Sequence, residues 1–124
     1  MARTIIISSA AELKSTVSDI MLLLEQTEGL SMERIYDIRL CLKEILSNSL
    51  VYSGSTSVEL VYRFEKGSFR FSVTDNGVGF CHNKCTTCPD AYAESGRGIY
   101  IVRQLADEVI YNKKGTSVVV RFFY

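Results

Sequence analysis

A carboxylate and an amide one helical turn apart, Glu44 and Asn48, interrupt an otherwise apolar helical pattern. The segment SMERIYDIRLCLKEILSNSLVY, predicted to form one helix over residues 31–52, carries apolar residues at spacings of three and four: Ile35, Ile38, Leu42 and Ile45. Asn48 continues that face, where an unpaired amide would cost about 1 to 3 kcal/mol, so it must be hydrogen-bonded or bind a ligand. The pair could hold a hard cation and activate a hydroxyl; alternatively, Glu44 lies in water at the helix edge and Asn48 bonds a nearby carbonyl.

The stretch DNGVGF, residues 75–80, places a second polar group at the end of a predicted strand. Asp75 could accept a hydrogen bond from the exocyclic amine of a base, while Gly77 and Gly79 let the backbone approach a ligand. A simple turn explains the same residues equally naturally, because Asp, Asn and Gly are good turn formers.

The tripeptide Gly96-Arg97-Gly98 precedes another predicted helix. Glycines before a helix N-terminus expose N–H groups to an anion, and the helix dipole favours phosphate there. The alternatives are a flexible hinge for the glycines and a solvated surface position for Arg97.

Three cysteines, Cys81, Cys85 and Cys88, have the spacing C-x3-C-x2-C, which suffices for three thiolate ligands to one zinc ion or iron–sulfur cluster. His82 could supply a fourth ligand to zinc. The alternative is that these are incidental thiols in a mobile loop. Cys41 is a weaker candidate ligand, because its position on the apolar helix face favours a small buried core residue.

Composition restricts the functional classes. The chain has 124 residues, which we interpret as one domain over residues 1–124, and 14 basic residues balance 14 acidic ones. Without excess positive charge, binding to nucleic acid or to an anionic membrane is disfavoured. The N-terminal segment lacks a signal-peptide pattern, and the apolar runs are too short to span a bilayer, so we expect a cytoplasmic protein.

The predicted elements run in the order strand, two helices, hairpin, loop, helix, hairpin. Ser9 with Glu12, and Ser31, have the positions of helix N-caps. Alternating apolar residues on both sides of Lys66 and Gly67 predict the first hairpin. Helices segregated from strands in this way predict an α+β two-layer sandwich, with a mixed, mainly antiparallel sheet and helices on one face.

Four stretches in this order resemble the motifs of the GHKL (Bergerat-fold) ATPase superfamily, whose members contain a histidine-kinase-like ATPase domain. EILSNSLVYSG resembles the N box, VTDNGVGF the G1 box, SGRGIYIVRQLADEVIY the G2 box, and KKGTSVVVRF the closing segment. Within the superfamily the chain is most similar to the short stand-alone serine-protein kinases that act as bacterial anti-sigma factors and switch kinases.

The resemblance implies binding of ATP and Mg²⁺, with a role for each matching residue. Glu44 would polarise the attacking hydroxyl, Asn48 would coordinate magnesium on the phosphates, and Asp75 would bind the adenine amine, supported by Thr116. The glycines would shape the adenine pocket and wrap the phosphates, at Gly77 and Gly79 and at Gly96 and Gly98 respectively, with Arg97 as a phosphate contact.

The resemblance also implies partners: a small anti-anti-sigma protein of the STAS type as phosphorylation substrate, a sigma factor, and in several relatives a second copy of the chain. This sequence departs from the family at Tyr52, where many relatives carry histidine, and in the cysteines of the lid. The alternatives are a nucleotide-gated binding module without phosphotransfer, with the cysteines sensing metal or redox state, and the catalytic domain of a histidine kinase. The last ranks lowest, because no helix with a phospho-acceptor histidine precedes the first strand.

Overall fold

Side-chain caps start the first two helices. The computed structural model describes residues 2–52, 57–75, 94–112 and 116–124, with the backbone alone at 51, 52 and 94–98. Helix α1 (Ala10–Glu25) follows Ser9, whose hydroxyl accepts the N–H of Glu12 at 3.1 Å, while the Glu12 carboxylate accepts the N–H of Ser8 at 2.8 Å. Helix α2 (Met32–Ser47) follows Ser31, whose hydroxyl accepts the N–H of Arg34 at 3.2 Å. Both predicted caps are confirmed.

The strands form one five-stranded sheet in the order β1-β2-β3-β5-β4, and every pairing among the described strands is antiparallel. The strands are β1 (Ala2–Ile7), β2 (Val58–Glu65), β3 (Ser68–Asp75), β4 (Glu108–Tyr111) and β5 (Ser117–Phe123). Gly67 makes the predicted β2–β3 turn at φ +76°, a left-handed conformation that glycine adopts without strain. The third helix, α3 (Glu94–Leu105), precedes the β4–β5 hairpin.

The hydrophobic core lies between the helices and one face of the sheet. Alternate strand residues supply the sheet side: Ile7, Val58, Leu60, Phe71, Val73, Val118, Val120 and Phe122. The helices supply the other side, including the predicted α2 face at Ile35, Ile38, Leu42 and Ile45. The predicted α+β two-layer sandwich is therefore confirmed. None of the described helices is long and apolar enough to cross a bilayer.

Helix α2 is held to the rest of the fold through Arg34. The Arg34 guanidinium donates to the carbonyl of Leu105 at 2.9 Å, pairs with the carboxylate of Asp107, and lies 5.0 Å from the ring centroid of Phe122. Asp107 in turn accepts the N–H of Phe123 at 2.7 Å. One half-buried arginine thus joins α2 to the end of α3 and to β5.

Helix α2 differs from its prediction at its C-terminal end. The sequence predicted one uninterrupted α-helix to Tyr52, whereas the α-helix ends at Ser47 and the chain continues as a π-helical turn, Asn48–Tyr52. Apolar spacing over a single turn does not distinguish the two hydrogen-bonding patterns, so the prediction missed this change. Such wider turns occur frequently at functional sites.

Candidate functional site

A small pocket opens where the π-helical turn meets the ends of the central strands. Its walls are Ile45, Asn48, Ser49, Val73, Asp75, Tyr111, Thr116, Ser117 and Val118. The enclosed space is about 10 Å³, roughly the room that one water molecule needs. Residues 76–93, which continue directly from Asp75, are outside the described part of the chain, so these residues form one side of the site.

Asn48 lies where the apolar periodicity of α2 predicted it, at the end of the buried face. The residue is 6% exposed and is the first residue of the π-helical turn. Its neighbour Ile45 is 3% exposed, so the amide stands at the border between the core and the pocket. A buried amide in this position presents a hydrogen-bonding group to whatever occupies the pocket.

Glu44 lies one helical turn before Asn48 and is half-buried. It is therefore neither a fully solvated edge residue nor a core residue. Within the described residues Glu44 does not line the small pocket, which begins one residue later at Ile45. A partly shielded carboxylate beside a buried amide can accept a proton or contact a cation whose other ligands lie outside the chain.

Asp75 and Thr116 come together from neighbouring strands. The N–H of Asp75 donates to the carbonyl of Thr116 at 2.9 Å, one residue beyond the last register pair of β3 and β5. Both residues are half-buried and line the pocket. The pairing places a carboxylate and a hydroxyl at the same strand ends, across the pocket from Asn48.

Asn112 is a positioning residue that the sequence analysis missed. Its Nδ2 donates to Oγ1 of Thr116 at 2.9 Å, and its Oδ1 accepts the N–H groups of Thr116 at 2.9 Å and Ser117 at 3.2 Å. Because the Thr116 oxygen accepts from Asn112, its hydroxyl hydrogen is directed elsewhere and can be donated to a ligand or a carboxylate. An asparagine shortly before a Lys-Gly turn was the available signal.

The Gly96-Arg97-Gly98 segment lies inside α3 rather than before it. Helix α3 begins at Glu94, two residues earlier than predicted, so Gly96 falls in the first turn, where backbone N–H groups lack helical partners. The phosphate-binding role of the three residues stays a prediction.

Several predicted site residues lie outside the described part of the chain: Gly77, Gly79, Cys81, His82, Cys85 and Cys88. Among the residues that are described, no group of three or more histidine, cysteine or acidic side chains could hold a metal ion. The cysteine cluster therefore stays a prediction from spacing alone.

Cys41 is a core residue and not a metal ligand. Its side chain is fully buried, and burial, assisted by the negative charge of Asp37, raises its thiol pKa to about 12. Metal coordination and nucleophilic chemistry need the thiolate, which this environment disfavours at neutral pH. The predicted role as a small buried hydrophobic residue is confirmed.

Comparison with known proteins shows one family and one fold. The family model for the histidine kinase-like ATPase domain matches residues 7–122. Among solved structures, the histidine kinase domain from the Erythrobacter litoralis EL346 blue-light activated histidine kinase is similar, with a TM-score of 0.56 and 23% identity. The match covers 90% of this chain and 58% of that one, so this chain spans little more than half of that domain's length. Curated proteins give no match.

Proposed function

The chain belongs to the histidine kinase-like ATPase domain family, and on that premise we propose that it is a cytoplasmic ATP-dependent serine-protein kinase. Family membership makes it an ATP-binding module of the GHKL type with ATP-using, kinase-like chemistry. The proposal adds a serine in a small STAS-type anti-anti-sigma protein as the acceptor, and a role as anti-sigma factor or switch kinase.

The donor set at the pocket suits an adenine nucleotide. The Asp75 carboxylate accepts hydrogen bonds, as an exocyclic amine requires, and the adjacent Thr116 hydroxyl can donate to it or to the base because Asn112 occupies its oxygen. Stacked apolar side chains, Ile45, Val73 and Val118, line the same pocket and suit the faces of a planar ring.

The end of α2 suits the phosphates. Magnesium prefers oxygen ligands and keeps several sites for phosphate and water, and the buried amide of Asn48 offers one such oxygen. When bound, the ion neutralises charge on the phosphates during transfer. Asn48 and Asp75 line opposite parts of one pocket, as a ligand with a base at one end and phosphates at the other requires.

The observation that carries the proposal of phosphotransfer is the position of Glu44. A protein that only binds nucleotide needs no carboxylate here, whereas transfer to a serine needs a group that orients the hydroxyl and accepts its proton. Glu44 is half-buried one turn before the buried Asn48, which places it beside the phosphate end of the site.

Replacing Glu44 by glutamine tests the proposal. The assay follows transfer of the labelled γ-phosphate of ATP to the STAS-domain protein encoded beside this chain, with ATP affinity measured separately by calorimetry. We expect Glu44→Gln to retain ATP affinity and to lose labelling by about 100-fold or more, the usual contribution of a positioned base. Glu33→Gln, an exposed acid in the first turn of the same helix, should label like wild type.

A wild-type protein that binds ATP and the partner but labels nothing would contradict phosphotransfer. That outcome would instead support a nucleotide-gated binding module, the alternative function. Loss of ATP binding itself in Glu44→Gln would assign the carboxylate to nucleotide binding rather than to the transfer step.

A further inference from the structure

A second concave surface lies on the solvent side of the first two helices. Side chains of α1 and α2 enclose a groove of about 610 Å³, which shares no lining residue with the small pocket at the end of α2. Three large apolar side chains on its walls are more than half exposed: Leu22 at 58%, Met32 at 57% and Tyr36 at 60%. Apolar side chains concentrated in one groove indicate an interaction surface rather than scattered surface residues.

The charges on the groove are unbalanced. Lys14, Arg39 and Lys43 line it, and Glu25 is the only acidic residue that does so. Among the described residues none of the three basic side chains forms an ion pair. Because residues 26–31 connect the helices directly, α1 and α2 run antiparallel, which brings Lys14 and Lys43 to the same end of the groove.

We propose that this groove binds an acidic amphipathic helix of a partner protein. The walls follow helical rows of side chains four residues apart, Leu13, Val17 and Met21 on α1 and Ile35, Arg39 and Lys43 on α2. Such rows accept the ridges of a third helix packed between them. An occupant of about 12 residues spans the three helical turns over which the groove runs.

The groove selects the occupant by its two ends. The exposed Leu22, Met32 and Tyr36 cover the apolar face of the bound helix near the α1–α2 connection, and carboxylates at its other end meet Lys14 and Lys43. Burying the apolar side chains supplies affinity, whereas the basic cluster supplies selectivity against neutral and basic helices. This surface is independent of the proposed phosphotransfer, since no groove residue lies in the nucleotide pocket.

Fluorescence anisotropy with two synthetic peptides tests the proposal on the full chain. Both peptides are about 15 residues long and share the same leucine face, and they differ only in carrying glutamate or lysine on their flanks. We expect the acidic peptide to bind with a micromolar Kd, at least about tenfold more tightly than the basic peptide. The variant Lys14→Glu with Lys43→Glu should reverse that preference.

Apolar variants separate the groove from general stickiness. Leu22→Ser with Tyr36→Ser should weaken binding of the acidic peptide by about tenfold or more, because two exposed apolar contacts are removed. The matched control, Ile6→Ser with Ile110→Ser, removes two equally exposed apolar residues from the sheet and should bind like wild type. Because all four positions are exposed, thermal melts confirm folding, and unchanged ATP binding shows that the nucleotide site is intact.

Several outcomes overturn the proposal. Equal binding of both peptides, no binding of the acidic one, or binding that Leu22→Ser with Tyr36→Ser leaves unchanged removes the acidic helix as occupant. Sedimentation that shows a dimer dissociated by those same substitutions assigns the groove to a second copy instead. Displacement of the acidic peptide by a DNA duplex, abolished by Lys14→Glu with Lys43→Glu, assigns it to nucleic acid.

Discussion

Hydrogen-bond direction at single residues decides what the pocket can recognise. Asn112 donates to the Thr116 oxygen and accepts from the backbone on both sides of the Thr116–Ser117 peptide, so the hydroxyl is held as a donor beside Asp75. A carboxylate and an oriented hydroxyl form a pair that can distinguish an amine from a carbonyl on a ligand. Asn48 meets them from the core side as a buried amide.

At this scale Asp75→Asn is expected to weaken ATP binding by about 10- to 100-fold. The substitution keeps the shape but removes the charge-assisted acceptor and presents an NH₂ group to the adenine amine. Calorimetric titration with magnesium and ATP measures the change. Glu59→Gln, an exposed acid on β2 outside the pocket, serves as control, and equal affinity of both variants would place the base elsewhere.

At the scale of elements, the site depends on how α2 is set over the sheet. The π-helical turn at its C-terminal end directs Asn48, and the Arg34 network fixes its N-terminal half against α3 and β5. The two devices lie at opposite ends of one helix that also carries Glu44 and one wall of the groove. A shift of α2 would therefore disturb both surfaces together.

Replacing Arg34 by alanine is expected to lower the free energy of unfolding by about 2 to 3 kcal/mol. The change removes a charge-assisted bond to a backbone carbonyl and an arginine–aromatic contact, and it leaves the Asp107 carboxylate without its cation. Urea unfolding followed by circular dichroism measures it. Arg39→Ala, exposed on the same helix, should cost less than about 0.5 kcal/mol, and similar costs for both arginines would contradict the assigned network.

At the scale of the whole molecule, one core supports two separate surfaces. The helices cover a single face of the sheet, and the buried side chains of α2 pack between α1, α3 and the strands. Cys41 lies inside this core, where burial raises its thiol pKa to about 12 from an ordinary value of 9.0. The protonation of this thiol is thus coupled to global unfolding.

Stability should therefore fall as pH rises above 9, because the unfolded thiol loses its proton there while the native thiol keeps it up to about pH 12. Between these values the unfolded state binds fewer protons, so the free energy of unfolding decreases, by on the order of 1 kcal/mol within the first pH unit. Urea unfolding across this range in a Cys81→Ser, Cys85→Ser, Cys88→Ser background measures the slope. Cys41→Ala in that background should show a shallower slope, and identical slopes would refute a raised pKa.

Interactions within a few residues were readable from the sequence, whereas those between distant segments were not. Caps at Ser9 and Ser31, the Gly67 turn, the alternation of the strands and the burial of Cys41 follow from local hydrogen bonding and apolar periodicity, and the ordered motifs placed the chain in its superfamily. The π-helical turn, the clamp of Asn112 on Thr116 and the Arg34–Asp107 pair emerged only in three dimensions. Each depends on contacts that form when the final hairpin and α3 pack against α2, or on a backbone pattern that apolar spacing does not encode. The groove belongs to the same class, because an exposed leucine or tyrosine marks a surface only when its neighbours across a second helix are known.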